Sequence, residues 1–156
     1  MSTGALRMRI DLPAAGPAPT WPDGLAARTF RTADAARLHA LLRHGYRNGG
    51  GSVAEFPAWL AGLTGDSEYD PELVVLVEAG DALAAASICW TSAFVKDLVV
   101  HEDWRRRGLG ESLLRRAFRT FDARGADHVD LKVEASNAGA IRLYERVGMR
   151  VVKRLA

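Results

Sequence analysis

The sequence contains a single cysteine, Cys89, among its 156 residues. One cysteine excludes an internal disulfide and a cluster of thiolate metal ligands, and it is typical of a protein that works in a reducing compartment. Cys89 lies in an apolar stretch, which indicates a buried, inert thiol rather than a nucleophile. We therefore expect no covalent intermediate on this side chain.

Long apolar runs and a strong excess of one charge are also absent. The chain has 21 Lys and Arg against 19 Asp and Glu, so its formal net charge is only +2, too little for composition alone to indicate a nucleic-acid partner. No apolar run reaches the length that spans a bilayer, and the N-terminus lacks the apolar segment of a signal peptide. These features predict a cytoplasmic protein with no membrane partner, and the length fits one domain.

The four histidines are too scattered to predict a metal site. His39 and His44 are five residues apart and diverge on a helix, while His101 and His128 have no candidate ligands nearby in the sequence. We expect no metal centre.

Hydropathy patterning predicts a short N-terminal segment followed by one folded domain. Alternating apolar and charged residues at 6–12 indicate a half-buried strand. Residues 13–24 hold four of the six prolines and are typical of an extended connector. The segment is therefore 1–24 and the domain 25–156. Further strands are predicted at 25–30, 73–78, 83–90, 95–100, 129–134 and 150–154, and helices at 35–44, 56–63, 109–124 and 137–147.

The order of these elements predicts the fold class. The strands first meander and then alternate with helices, which favours an α/β fold around one mixed sheet. We expect the sheet to be antiparallel in its N-terminal part and parallel where helices cross over, with about four helices flanking it.

The stretch WRRRGLGESLL, at 104–114, carries the clearest chemical signal. It joins a strand to a helix, and the first turn of a helix offers unpaired N–H donors and a dipole that favours an anion. Gly108 and Gly110 let a ligand approach the backbone. The stretch lacks the third glycine of a dinucleotide fingerprint and the Gly-Lys-Ser/Thr of a nucleotide triphosphate loop. Taken alone, it is either a phosphate cradle or a solvated basic surface.

Two blocks of sequence carry a resemblance to a known family. VHEDWRRRGLG, at 100–110, resembles the acetyl-CoA-binding signature Arg/Gln-x-x-Gly-x-Gly/Ala of the GCN5-related N-acetyltransferases. LKVEASNAGAIRLYERVGM, at 131–149, resembles the second conserved block of that family at the expected distance. The resemblance covers 25–154, and within the family the sequence most resembles the domains of mycothiol-synthase-like acetyltransferases.

The resemblance implies that acetyl-CoA is the acyl donor and that its pantetheine arm lies between two splayed parallel strands, 95–100 and 129–134. Backbone groups of Leu98, Val99 and Val100 would then bind the arm and the thioester oxygen, and Asn137 would bind the arm from the next helix. The pyrophosphate would be held through the backbone N–H groups of Arg105, Arg106, Arg107, Gly108, Leu109 and Gly110, with those of Glu111 and Ser112.

Tyr144 stands where the family often has the general acid that protonates the departing CoA thiolate. Helix geometry supports a shared site, because seven residues make nearly two turns and place Asn137 and Tyr144 on one face. The alternative is that Tyr144 is a packed aromatic with its hydroxyl at the surface.

The general base is less evident. Some family members have a glutamate where this chain has Lys132, and the first substitute is Asp97 on the preceding strand. Glu134 is the second, on the same strand face as Lys132. Either carboxylate could instead be solvated or salt-bridged, and some members use water alone.

The C-terminus also departs from the family pattern, which usually closes with a hairpin of two strands where this chain has one. An exposed strand edge invites pairing. We therefore hypothesise that 6–12 supplies the missing edge strand, either from the same chain or from a neighbour in a homodimer.

The leading hypothesis is an acetyl-CoA-dependent N-acetyltransferase that acts on a primary amine of a small molecule or peptide by direct transfer in a ternary complex. The alternative is a non-catalytic acyl-CoA-binding or regulatory module, for which Lys132 is the best evidence. Nucleic-acid binding is disfavoured, because cofactor phosphates already account for the arginines. Tyr46, Trp59, Trp90 and Phe94 either line the acceptor pocket or belong to the core.

Overall fold

The computed structural model describes residues 4–49 and 51–156, so the first three residues of the predicted N-terminal segment lie outside it. Within the described ranges it contains seven strands and four α-helices, at the predicted places and with ends that shift by at most two residues. The strands are β1 (Ala5–Asp11), β2 (Leu25–Thr29), β3 (Val74–Ala79), β4 (Ala82–Trp90), β5 (Phe94–Val100), β6 (His128–Glu134) and β7 (Arg150–Leu155). The helices are α1 (Ala35–Gly45), α2 (Phe56–Thr64), α3 (Leu109–Ala123) and α4 (Ala138–Arg146).

The strands form one mixed sheet in the order β2-β3-β4-β5-β6-β1-β7. Only the pairing of β5 with β6 is parallel among the described strands, and the others are antiparallel. The predicted fold class is confirmed.

The N-terminal strand β1 lies inside the sheet, between β6 and β7. It pairs antiparallel with both, from Ala5 opposite Glu134 to Asp11 opposite His128 on one side, and with β7 on the other. The hypothesis that this segment completes the sheet is confirmed for the same chain, but the expected position at the edge is wrong. Leu6, Met8 and Ile10 are all buried, so β1 contributes a full row to the core, and β7 forms the edge instead.

Helices cover the two faces of the sheet unequally. On one face α3 packs its apolar side, including Leu114, Phe118 and Phe121, against the buried residues of β6 and β1. On the other face α1 and α2 cover β3, β4 and part of β5. Lys132 of β6 and Lys153 of β7, beyond the cover of α1 and α2, are exposed. The face of the sheet that carries α1 and α2 is therefore uncovered at β6, next to β5.

In the described ranges, every helix is too short or too polar to cross a lipid bilayer.

Candidate active site

The parallel strands β5 and β6 separate soon after they meet. Their pairing is limited to Phe94 with Asp130 and Val95 with Leu131. Beyond that point β5 pairs only with β4, up to Val100 opposite Ala85. One edge of β5 therefore faces a gap, where its backbone N–H and C=O groups can bind a ligand.

A cavity of about 830 Å³ occupies this gap. Leu98, Val99 and Val100 line it from β5, and the sequence predicted backbone contacts at these three positions. Residues from β6, α4, the end of α1 and the loop after β5 complete the lining, among them Arg105, Lys132, Glu134, Asn137 and Tyr144. The volume lies in the range of small-molecule sites.

A β-bulge at Lys96 turns β5 just as the gap begins. Ile88 of β4 lies opposite Asp97 and Cys89 lies opposite Val95, so Lys96 is the extra residue. An extra residue reverses the alternation of side chains. Val95 therefore packs into the core beneath α3, whereas Asp97 points to the face that carries α1.

Asp97 meets Tyr46, the C-cap residue that follows α1. The Tyr46 hydroxyl donates a 2.8 Å hydrogen bond to Oδ1 of Asp97, and Lys96 Nζ lies 2.8 Å from Oδ2. Burial, followed by the charge of Asp97, raises the pKa of Tyr46. Tyr46 lines the cavity, and a phenol with a raised pKa stays protonated at neutral pH.

Tyr144 and Asn137 lie together at the cavity, as the helical spacing predicts. Burial raises the pKa of Tyr144, so its hydroxyl keeps its proton and can donate it. Asn137 is also the N-cap of α4, where its Oδ1 accepts a 3.2 Å hydrogen bond from the Ala140 N–H. This capping role, typical of asparagine, uses the side-chain oxygen.

The loop before α3 has two residues in the left-handed region. Arg106 has φ 65°, and the N-cap Gly108 has φ 77° and ψ 14°. The Ser112 N–H donates to the Gly108 carbonyl at 3.0 Å as the helix begins, so the preceding N–H groups of the first turn have no helical acceptor. Such loops form concave anion sites, which fits the predicted pyrophosphate cradle.

Gly110 brings α3 close to both α4 and β5. A Cβ built on it would lie 3.2 Å from Leu143 and 3.8 Å from Val100. A larger side chain would therefore separate the first turn of α3 from the two elements that border the cavity. Close packing accounts for this glycine of the signature.

A family model described as the acetyltransferase (GNAT) family matches residues 35–149. The chain belongs to this family. The match includes both blocks that carried the resemblance, so the prediction of the family is confirmed.

Relatives of the GNAT chain share its sequence and fold. A mycothiol acetyltransferase of Clavibacter michiganensis subsp. michiganensis is 34% identical over 83% of this chain and 44% of its own length. A [ribosomal protein bS18]-alanine N-acetyltransferase of Salmonella typhimurium is 39% identical over 43% of this chain and 45% of its own. The crystal structure of a GCN5-related N-acetyltransferase from Sphaerobacter thermophilus superposes with a TM-score of 0.80 and 32% identity, covering 96% of this chain and 48% of that one. The chain thus spans about half the length of these relatives.

The GNAT site brings together only part of the sequence-predicted loop. Arg105 lines the cavity, whereas Arg106, Arg107, Gly108, Leu109, Gly110, Glu111 and Ser112 lie outside the lining. Leu109 is buried in the core, and the Arg107 guanidinium stacks 4.8 Å from the Trp104 ring. Side-chain contacts therefore hold much of the loop in shape.

The side chains of Glu111 and Ser112 have partners within the protein. Glu111 lies 3.1 Å from Arg115 and 3.3 Å from Arg146. The Ser112 hydroxyl donates to the Thr20 carbonyl at 2.7 Å and accepts from the Thr20 N–H at 3.3 Å. The hydroxyl thereby fastens the proline-rich connector to α3, a role that the sequence did not reveal.

The two candidate bases of the GNAT site lie in different surroundings. Asp97 is 9% exposed and lies outside the cavity lining, and both its oxygens have donors. Glu134 lines the cavity and is exposed. The cavity lining therefore includes the second candidate base and not the first. Lys132, where some family members have a glutamate, lines the same cavity.

Histidines that are far apart in sequence meet at the rim of the domain. The rings of His44 and His101 stack with centroids 4.7 Å apart, and His44 Nε2 lies 2.9 Å from Oε1 of Glu102. These three residues offer ligand atoms within 4.8 Å of one another. Arg47 occupies the other oxygen of Glu102 at 2.9 Å, so both oxygens of this carboxylate have partners within the protein. The sequence spacing did not reveal it.

Cys89 and three of the four candidate aromatic residues lie outside the cavity lining. Cys89 is buried, and burial raises the pKa of its thiol to about 12, so the prediction of an inert thiol is confirmed. Trp59 belongs to the core under α1 and α2. Trp90 and Phe94 lie outside the cavity lining, under the cations of Lys96 and Arg7 at 5.7 Å and 5.3 Å. Of the four candidate aromatics, only Tyr46 lines the cavity.

Proposed function

We propose that the protein is an acetyl-CoA-dependent N-acetyltransferase, which moves the acetyl group directly to a primary amine of a small molecule or peptide. The observation that carries this proposal is the position of Tyr144 and Asn137 at a cavity between two splayed strands. Membership of the GNAT family and the names of the relatives support the same chemistry.

The residues around the gap fit an extended thioester donor. The free edge of β5 at Leu98–Val100 offers N–H and C=O groups for the pantetheine arm, and the loop from Arg105 to Gly110 offers N–H groups for the pyrophosphate. Arg105 adds a positive charge at the cavity wall. The donor supplies a thioester carbonyl, and a backbone N–H at Val100 would stabilise the oxyanion that forms on it.

Acetyl transfer requires two proton movements. The neutral amine attacks the carbonyl carbon, a C–N bond forms, and the C–S bond then breaks. Tyr144 gives its hydroxyl proton to the departing thiolate, which would otherwise be a moderate leaving group. The proton that the amine loses passes to Glu134, directly or through water, because Glu134 is the candidate carboxylate that lines the cavity.

Asp97 acts through Tyr46 in this proposal. Both of its oxygens are occupied, so it positions the Tyr46 hydroxyl beside the acceptor. Lys132 has no proton-accepting role in this proposal, because Glu134 supplies the carboxylate two residues further along β6. The departure from the glutamate of some family members is thus compatible with catalysis.

Release of CoA thiol from acetyl-CoA over a panel of amines tests the proposal, with Tyr144→Phe as the variant and Tyr69→Phe as the control. Tyr69 lies outside the cavity lining. We expect Tyr144→Phe to lower kcat about 100-fold with an unchanged dissociation constant for CoA, and Tyr69→Phe to match the wild type. Tight CoA binding without turnover of any amine would favour the non-catalytic module.

A further inference from the structure

Three basic residues form a row across the strands β6, β1 and β7. Arg7 of β1 lies directly opposite Lys132 of β6 and directly opposite Lys153 of β7. Directly paired residues project to the same face of a sheet. We call Lys132, Arg7 and Lys153 the cationic row.

The cationic row lies on the face that carries α1. Leu6 and Met8 pack into the core beneath α3, so Arg7 between them projects to the opposite side. Lys132 and Lys153 are exposed, and the Arg7 side chain is 41% exposed. The row is therefore open to a ligand from the side where α1 ends.

The row carries more positive charge than its surroundings neutralise. Arg7 shares the buried carboxylate of Asp130 with Arg9, at 2.6 Å and 2.7 Å. In the described ranges no acidic side chain forms an ion pair with Lys132 or Lys153. Like charges directly opposite each other destabilise a sheet, so an arrangement of this kind indicates an anionic ligand.

The row ends at the fork where the parallel strands separate. Val95 with Leu131 is the last parallel pair, and the next residues are Lys96 on β5 and Lys132 on β6. Both line the cavity. Asp97 neutralises Lys96 at 2.8 Å, so Lys132 is the member of this pair with an available charge.

Glu134, the carboxylate proposed to accept the proton of the amine, lies close to the charge of Lys132. Glu134 is two residues beyond Lys132 on the same strand face, a separation of about 7 Å. Both side chains line the cavity. A ligand with an amine at Glu134 can therefore reach Lys132 with a second group a few bonds away.

We infer that the acceptor is an amine that also bears a carboxylate, with the carboxylate bound by Lys132 and the adjoining cationic row. The inference rests on the proposed acetyl transfer and names the class of acceptor for it. Cationic acceptors with several amines are disfavoured, because a second ammonium group would be repelled by Lys132 while the first lies at Glu134.

Matched trios of amines test this inference by release of CoA thiol. One trio is γ-aminobutyrate, its neutral amide and putrescine, and the other is the peptides Ala-Glu-Ala, Ala-Gln-Ala and Ala-Arg-Ala with amidated C-termini. We expect the carboxylate member of at least one trio to exceed its neutral partner in kcat/KM about tenfold or more, as for a charge-assisted hydrogen bond.

Two variants in the cationic row and one control outside it show which residues cause the preference for the carboxylate. Lys132→Gln is expected to reduce the advantage of the carboxylate member to within about twofold, and Lys153→Gln to reduce it in part. Arg154→Gln is the matched control, since it removes the same charge from the next residue of β7. Arg154 lies opposite Leu6 and therefore on the other face, so this variant should keep the full preference.

Each other outcome decides the question. Equal or better turnover of the neutral or basic members, or a preference that survives Lys132→Gln, overturns the inference while leaving acetyl transfer intact.

If no amine releases thiol, the proposed function fails on this panel, and calorimetric titration of the same amines into the CoA complex decides instead. Tighter binding of the carboxylate members to the wild type than to Lys132→Gln supports the inference, and equal or absent binding overturns it. CoA-independent oligonucleotide binding lost in Lys153→Gln would assign the row to nucleic acid and also overturn it.

Discussion

The hydroxyl of Tyr46 and the carboxylate of Asp97 are joined by a 2.8 Å hydrogen bond, although the two residues are 51 positions apart. Tyr46 is the C-cap residue of α1, and the bulge at Lys96 turns Asp97 toward it. In the proposed function this bond fixes the side of the cavity that the acceptor would meet, whereas Arg105, Asn137 and Tyr144 would contact the donor. Variants of this pair should therefore affect the acceptor more than CoA.

Replacement of Tyr46 by Phe removes one donor from the buried Asp97 carboxylate. We expect the free energy of unfolding to fall by about 1 kcal/mol, the KM of the acceptor to rise and kcat to fall, with an unchanged dissociation constant for CoA. Steady-state kinetics and calorimetry measure these quantities, and Tyr69→Phe is the control. Unchanged kcat and acceptor KM would show that the bond has a structural role alone.

Replacement of Gly45 by Ala should destabilise the protein at the cavity. The new Cβ would lie 2.5 Å from Cγ1 of Val99, which is buried, so β5 or α1 must move. We expect a loss of about 1–2 kcal/mol in the free energy of unfolding and weaker CoA binding.

Gly62 provides the matched helical control. It lies within α2, and a Cβ there meets nothing within 4 Å. Gly62→Ala should raise the free energy of unfolding by about 0.5–1 kcal/mol. Denaturant titrations of the two variants should therefore shift in opposite directions, and a shift in the same direction would refute the packing argument.

Replacement of Ser112 by Ala should release the connector from α3. The hydroxyl bonds both backbone groups of Thr20, so its loss should lower the free energy of unfolding by about 1 kcal/mol. Limited proteolysis should then cut the connector faster than in the wild type. Ser92→Ala, at an exposed position, is the control, and equal cleavage rates would contradict the prediction.

The Asp34 carboxylate makes the free energy of unfolding depend on pH in the acid range. It is 4% exposed, and hydrogen bonds from Arg28 are the largest cause that lowers its pKa. A lowered pKa contributes stability that is complete above the unfolded value of about 3.9 and is lost as the pH falls through the folded value. The free energy of unfolding should therefore decline below about pH 4.

Asp34→Asn tests this dependence. It leaves the partly buried Arg28 without its closest partner, so we expect a loss of about 3 kcal/mol at neutral pH and a shallower decline in acid. Asp81→Asn at an exposed site is the control. Thermal unfolding at several pH values measures both effects, and an unchanged acid slope in Asp34→Asn would contradict the assignment.

Local sequence signals predicted the elements well because each signal acts over one element. The apolar stripe of α3, the alternation of β1 and the seven-residue spacing from Asn137 to Tyr144 all depend on helix or strand periodicity. The two GNAT blocks lie on consecutive elements, so the sequence could also predict that Leu98–Val100, Asn137 and Tyr144 lie around one cavity. The sequence could not show that the Ser112 hydroxyl bonds the backbone of Thr20, because the two residues are 92 positions apart.

The sequence by itself determined the periodic elements, the family and the part of the site made by neighbouring elements. Only the tertiary structure decided the partners of residues distant along the chain. Insertion of β1 between β6 and β7 places Arg7 beside Lys132 and Lys153, and packing of α1 on β5 brings Tyr46 to Asp97 and His44 to His101. The physical reason is that periodicity defines the face of a residue on its own element, whereas strand order, register and one bulge define what that face meets.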